Sequence, residues 1–515
     1  MDEPRQVADE IIYKINTLYN CLYDNIVNKY NYISFTNINE IEDYINNFCA
    51  KKFDLDVDFL SNSISNIDEK QIIKHIRDIY KIININFKTV RKVPITIQTE
   101  NFPITISRYF LSPKTSHDAQ RLKDREGLHG IYPLDIALGL NKLPHHLTVK
   151  AMLKVSKIAI ESRSFMDASE KLAEYHHMSL DPVTIMAVTN HIGQIAFTNE
   201  MNRAEETFKI FDKESSNYKY PETQRDGILY IEMDGAFLNT RDKKENNKSN
   251  WHENKLGLVF SSNSKKMVKK RKKQPENPVA ASIIPERKRY HLTAKEYTAY
   301  IGSVDTFKKL MFDCAVRNGY GSYKVTVLVS DGAPWIRNLK DEIFWDAQQI
   351  LDYFHLCEKI SDFGKTYFKV PIIHDKHCHY DKLNNLNNKD SIKYSNFRSW
   401  LEETCQKLLQ SCYNDVLNDI IIKEKSKHVN NAKLSTYIQN NINNIDYAAY
   451  IKKGYDIGSG AIESANKTVL KERLVGPGMR WYLNSAQQVV TLKAKLESNK
   501  WFEEVVSPVN RYYNV

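Results

Sequence analysis

The chain has 515 residues, 42% hydrophobic, 26% charged and 11% aromatic, which is material for three or four domains with real cores. No run approaches the roughly 18 consecutive apolar residues of a membrane span. The acidic start Met1-Asp2-Glu3-Pro4-Arg5 lacks the apolar run of a secretory signal, and the seven cysteines stand singly, as reduced thiols do, so membrane-spanning, secreted and wholly disordered classes are set aside. The net charge of +10 is unevenly placed: Lys265, Lys266, Lys269, Lys270, Arg271, Lys272 and Lys273 crowd nine positions, and Arg287-Lys288-Arg289 follow. Such a block repels itself and suits a polyanion, because each phosphate neutralised releases counterions. A solvated loop or a localisation signal is the competing reading.

Residues 1–92 form a helical N-terminal region, with apolar residues at helical spacing through Val7, Ile11, Ile15 and Leu18, and again through Ile72, Ile73, Ile76 and Tyr80. Residues 93–145 make a small β-containing region, in which Pro94–Ile97 and Pro103–Ile106 flank the turn Thr99-Glu100-Asn101 as a hairpin. Residues 146–222 carry three short helices: Val149–Ala159, Phe165–Glu174, and a third with Asp181 as N-cap and Pro182 as first helical residue. The set resembles a helix-turn-helix, whose third helix would enter the major groove, although three-helix units also serve as structural filler.

Strand signals begin at residue 223 and continue to 360. Gly227–Met233 reads as a buried strand ending at Asp234, Leu256–Phe260 as a second, and Tyr297–Ile301 as a third, followed by a helix through Phe307, Leu310, Met311 and Cys314. Val325–Val329 is the clearest strand, broken by Ser330-Asp331-Gly332, and Ile350–Phe354 is a short fifth. Residues 361–452 turn helical and Asn/Lys-rich. In the last segment, 453–515, Gly458-Ser459-Gly460 opens a helix from Ala461 to Leu474, and Ala486–Leu496 forms a closing helix.

Asp234 and Asp331 end the two best strands, and each precedes a glycine that lets a ligand approach the backbone. Carboxylates at strand ends in an α/β sheet project into the ligand crevice, and Mg²⁺ needs only a few of them because it keeps several waters. Glu463, one turn into the helix after the glycine loop, is a third candidate, which pattern alone does not separate from Glu472 or Asp456. His374, His377, Cys378 and His379 crowd together too, but without a second ligand pair at finger spacing they read as a polar loop.

Several words occur in order: Tyr132-Pro133-Leu134-Asp135, Ile231-Glu232-Met233-Asp234-Gly235, Ser330-Asp331-Gly332-Ala333-Pro334-Trp335, Ile350-Leu351-Asp352-Tyr353-Phe354-His355, Gly458–Asn466 and Gly478-Met479-Arg480-Trp481. Together they resemble the bacterial insertion-sequence transposases of the DDE type, in the ISKra-like branch related to Mutator elements, over roughly residues 93–502. The resemblance implies an α/β RNase H-like catalytic core, a mixed sheet with helices, interrupted by an all-helical insertion domain that fits 361–452. It implies a catalytic and metal-binding triad of Asp234, Asp331 and Glu463, standing 97 and 132 residues apart, that holds two Mg²⁺, with Mn²⁺ as a substitute.

The expected reaction is cleavage at element ends, then transfer of the 3′-hydroxyl into target DNA. Asp352 and His355 match an Asp-x-x-His word, in which the histidine would position the scissile phosphate or a displaced base, or else make a structural hydrogen bond. Arg473, Arg480 and Trp481 suit phosphate contact and base stacking, Lys269, Lys270, Arg271 and Lys272 suit DNA, and Trp335 reads as core.

The partners implied are double-stranded DNA, as terminal inverted repeats and as target, and a second copy of the chain on that DNA. No membrane is expected, and the location would be cytoplasmic and nucleoid-associated. The alternative is a catalytically silent, transposase-derived DNA-binding protein. One departure stands out. Relatives often carry a Cys-x-x-Cys pair before the Tyr-Pro-Leu-Asp word, yet Arg108 to Ile131 contains no cysteine, so no thiolate zinc site can form there.

Overall fold

The computed structural model describes residues 13–21, 45, 48–49, 51–52, 54–58, 67–214, 224–242, 250–268, 290–370, 388–425 and 433–514. They fall into two units, Met1–Ile192 and Gly193–Val515. In the first unit the helix Glu69–Ile82 starts at Asp68, whose carboxylate accepts the Lys70 and Gln71 N–H groups, and it buries Ile73, Ile76 and Tyr80 on one face. Strands β1 (Phe87–Gln98) and β2 (Pro103–Pro113) form the expected antiparallel hairpin, extended at both ends. Ile95 opposite Ile106 and Ile97 opposite Ile104 supply its buried face.

The Tyr-Pro-Leu-Asp word has a packing role here. Pro133 is the first residue of a short helix, Pro133–Ala137, and buried Asp135 is ion-paired with the buried guanidinium of Arg108, which lies 3.7 Å from the centroid of the Tyr132 ring. Charges removed from water need such a partner.

The helices Val149–Glu161 and Phe165–His176 follow, capped by Thr148 and Ser164. The third helix begins at Pro182, with the Asp181 carboxylate accepting the Val183 and Thr184 N–H groups as a cap should. It is not short: it runs 33 residues to Glu214, about 50 Å at 1.5 Å per residue. Buried Ile185, Val188, Ile192, Ala196, Glu200 and Ala204 keep one stripe inside over that length, so nothing in the pattern stops the helix early.

The second unit is built on a five-stranded sheet of β3 (Arg225–Asn239), β4 (Trp251–Ser261), β7 (Glu296–Ile301), β8 (Tyr323–Ser330) and β9 (Gln348–Leu351), in the order β7-β4-β3-β8-β9. β4 runs antiparallel to β3 and β7, whereas β8 is parallel to β3 and β9 to β8. This mixed sheet flanked by helices is compatible with an RNase H-like core. A small hairpin of β5 (Lys265–Met267) and β6 (Tyr290–Leu292) stands apart from it between β4 and β7.

One sheet face presents Leu229, Ile231, Met233, Val259 and Leu328 to Phe307 and Met311 of the helix Val304–Arg317 and to Ile336 and Leu339 of the helix Pro334–Ile343. The fifth strand is shorter than its apolar run implied. Asp352 caps the helix Tyr353–Tyr367 by accepting the Phe354 and His355 N–H groups, so Tyr353 and Phe354 are helical. Helices Asn388–Leu409, Tyr413–Glu424, Leu434–Asn440 and Tyr447–Lys452 follow, and the described residues of 361–452 include no strand. No described helix is long and apolar enough to cross a membrane.

The helix Leu483–Glu497 closes the β7 edge with side chains. Gln487 accepts the Ile301 N–H at 2.8 Å and donates to the Ala299 carbonyl, and Ser498 accepts the Tyr297 N–H. On the same helix the buried Lys495 ammonium meets buried Glu200 at 2.5 Å. Lys495→Ala strands that carboxylate in the interior, so it is expected to destabilise the fold by about 3–5 kcal/mol, read as a lowered denaturant midpoint at unchanged slope. Pairing Lys495→Met with Glu200→Gln should recover most of the loss.

Candidate active site

β3 does not end at Asp234 but continues to Asn239, because β4 pairs with it along that whole length. Its pairing with β8 stops earlier, at Glu232 opposite Val329. Extending that register by two positions sets Asp331, the first residue past β8, beside Asp234. Both carboxylates thus sit where the parallel half of the sheet opens. Asp234 accepts the Gly235 N–H at 2.8 Å through Oδ1 and the Asn466 amide at 2.6 Å through Oδ2. The Asp331 carboxylate accepts the Ala333 N–H, and its carbonyl accepts the Tyr437 hydroxyl.

Burial pushes the Asp234 carboxyl above the usual carboxylate range, and the nearby charge of Asp331 adds to this. The Gly235 N–H, the Asn466 amide and the charge of His355 act in the opposite direction. His355 lies in the first turn of the helix Tyr353–Tyr367 with its side chain one-third exposed.

The glycine loop is tied to the sheet by two buried acids. Glu232, fully buried on β3, accepts the Ile462 N–H at 2.8 Å, and Asp352 accepts the Ser459 N–H at 2.7 Å and the Ser459 hydroxyl. Burial pushes the Glu232 carboxyl well above its usual range, the Ile462 N–H pulls against this, and the charges of Asp456 and Asp352 push further upward. Gly458 is required by close approach, since a Cβ there would fall 2.5 Å from the Phe354 ring.

From this anchor the helix Gly460–Ala465 passes into a π-helical turn, Asn466–Lys471, and then the short helix Glu472–Leu474. Asn466 reaches Asp234. Glu463, three residues earlier on the same helical face, is exposed. Among the described residues no three His, Cys, Asp or Glu side chains are gathered closely enough to hold a metal. The structure therefore brings together Asp234 and Asp331 with His355 in electrostatic reach, and leaves Glu463 alongside rather than among them. Of the other acids open to sequence, Asp456 is committed to Lys265 and Tyr290, and Glu472 is exposed.

Arg480 is exposed, but Arg473 and Trp481 are buried against each other, guanidinium 5.0 Å from the indole centroid, with the indole N–H donated to the Leu474 carbonyl. The stacking face and charge expected for DNA are spent inside the protein, because the chain after Leu474 folds back onto β3. Trp335 lies against the core through Phe307, as expected. Lys269, Lys270, Arg271, Lys272 and the His374–His379 cluster lie outside the described residues.

Glu232, Asn466 and Tyr437 were not singled out as site residues by sequence. Glu232 carried a signal all the same, as a charged residue inside an apolar strand two positions before Asp234, hence on the same face.

No family model matches the chain, and no curated protein matches it. Among solved structures the chain is similar to the Drosophila P element transposase strand transfer complex, at 9% identity and a TM-score of 0.30 over 73% of this chain and 94% of that one.

Removing the charge of Asp234 should relieve both its burial and its repulsion by Asp331. Asp234→Asn is therefore expected to melt a few degrees higher than the parent in chelator, and the order to narrow or reverse when Mg²⁺ stabilises only the parent. Thermal melts with and without Mg²⁺ check this; a parent melting point indifferent to Mg²⁺ and Mn²⁺ would remove the metal reading.

Proposed function

We propose that the chain is a DDE-type DNA transposase that cleaves at the ends of an insertion element and transfers the 3′-hydroxyl into target DNA. The observation that supports it most is the placing of Asp234 beside Asp331 two positions past the last β3–β8 pair, Glu232 opposite Val329, while Asn466 draws the Glu463 helix alongside. Two crowded carboxylates, one of them held above its usual pKa by burial and its neighbour, fit a hard cation that would relieve the repulsion. In this reading Asp234 and Asp331 hold Mg²⁺ or Mn²⁺, and Glu463 is the third ligand. Divalent ions bound there supply an activated attacking oxygen and neutralise the leaving one.

The chain's own residues do the positioning. Asn466 orients Asp234, Tyr437 braces the turn that carries Asp331, and Glu232 with Asp352 fixes the start of the Glu463 helix. His355 is assigned to the scissile phosphate or a displaced base, with its charge within reach of Asp234 as the support. The three-helix region, Arg480 and the basic segment Lys269–Lys272 are assigned to double-stranded DNA, both terminal repeats and target, with two copies of the chain holding two ends at the nucleoid.

A silent DNA-binding descendant is the second reading, favoured by one observation: Glu463 does not complete a three-acid cluster. The test is nicking and joining of a library of flanking DNA with Mg²⁺ or Mn²⁺, comparing the parent with Glu463→Gln. Metal-dependent activity in the parent, reduced by at least about 100-fold in the variant at unchanged DNA affinity, is the expected outcome. Binding without cleavage in either protein supports the silent reading, and full activity in the variant means the third ligand is a different acid.

A further inference from the structure

The cysteines stand singly along the sequence, yet the fold brings two of them together. Cys357 lies in the second turn of the helix Tyr353–Tyr367, and Cys405 lies near the end of the helix Asn388–Leu409, 48 residues further on. Their sulfurs are in hydrogen-bonding contact at 3.2 Å, with Cys405 buried and Cys357 partly exposed.

Packing on either side fixes this contact. The Tyr353 hydroxyl donates to the Cys405 carbonyl at 3.3 Å, and the Tyr353 ring meets that of Tyr447 edge-on. Two turns along, Gly364 lets the same two helices close up: a Cβ there would fall 2.4 Å from the Trp400 ring and 2.9 Å from that of Phe397. Residue 364 follows Cys357, whereas residues 397 and 400 precede Cys405, so the helices run antiparallel and touch over about two turns.

Thiols already in contact need only a small closing movement to bond. The hydrogen bond with Cys357 holds the Cys405 thiol below its ordinary value, against burial and with help from Tyr353. The bond to Cys405, and burial with it, push the Cys357 thiol up. Cys405 is therefore the more readily ionised of the two.

We propose that Cys357 and Cys405 form a peroxide-sensitive dithiol whose disulfide clamps the helix Tyr353–Tyr367 to the helix Asn388–Leu409. The Cys405 sulfur attacks one peroxide oxygen, the O–O bond breaks, and the departing hydroxide takes up the thiol proton as water. Cys357 then attacks the sulfenic sulfur of Cys405. The S–S bond forms, the S–O bond breaks, and a second water leaves with the Cys357 proton. Both sulfurs are oxidised and both peroxide oxygens reduced. The clamp closes just over one turn from Asp352, whose carboxylate holds the Ser459 N–H and hydroxyl, so oxidation tightens that anchor too. None of this depends on the DNA reading above.

Hydrogen peroxide titration of the reduced chain tests the pair, followed by non-reducing peptide mapping, thermal melting and amide exchange. A Cys357–Cys405 linked peptide should appear within single chains, the melting point should rise by several degrees, and exchange of the Ser459 amide should slow by about tenfold. Dithiothreitol should reverse all three. Cys357→Ser and Cys405→Ala should each remove them, and if a variant fails to fold, the parent's peptide map decides alone. Peroxide that leaves both thiols intact, takes either to sulfinic acid without a link, or links only the exposed Cys21 and Cys49 overturns the pair. A linked pair with unchanged melting and exchange overturns the clamp.

Discussion

Two buried carboxylates hold the second unit of this molecule in register. Glu232 of β3 and Asp352 at the end of β9 each accept a backbone N–H from the same short segment, Ile462 and Ser459. Strands far apart in sequence thereby grip one glycine-bearing loop. Taking two acids out of water is unfavourable, and only one Glu232 oxygen has a partner among the described residues. That cost is localised where it fixes the direction of the Glu463 helix. The Tyr353 N–H to Ile457 carbonyl bond, the Asp456 N–H to Tyr230 hydroxyl bond and the packing of Phe354 against Gly458 add to that hold.

The same constraint explains how acids so distant along the chain come to share a surface. Parallel pairing of β3 with β8 aligns Asp234 and Asp331 with no loop in between to position them. The approach of residue 463 needs no sheet pairing at all. It follows from a helix that begins beneath β3 and presents Asn466 to Asp234. The helices from Asn388 to Lys452 occupy the sequence between β9 and that anchor, and they contribute Tyr437 to the Asp331 turn.

Much of the core was legible because its signals are local. Apolar β-branched runs marked β3, β4, β7 and β8, and Asp181-Pro182 marked a helix start that the cap hydrogen bonds reproduce. What sequence missed depends on partners. Asp234 reads as the end of its strand, where the apolar run stops, yet β4 keeps pairing beyond it. Tyr353 and Phe354 looked like strand until Asp352 is seen capping a helix. Arg473 and Trp481 have the composition of a DNA contact but bury each other, and only the return of the chain onto β3 reveals this. Glu232 lies inside a word read for Asp234, and Asp352 was read only as the partner of His355 in an Asp-x-x-His word; their bonds to Ile462 and Ser459 are long-range and invisible to spacing.

The small hairpin of β5 and β6 also bears on how the basic block can vary. Met267 pairs with Tyr290, so these two residues lie side by side, and Lys265 is fastened next to them by Asp456 and the ring of Tyr230. Closure entropy grows only logarithmically with length, so a change in the number of residues between these two points costs little on that account. In evolutionary terms the charge and length of that segment can drift while the geometry around Asp234 and Asp331 is inherited unchanged.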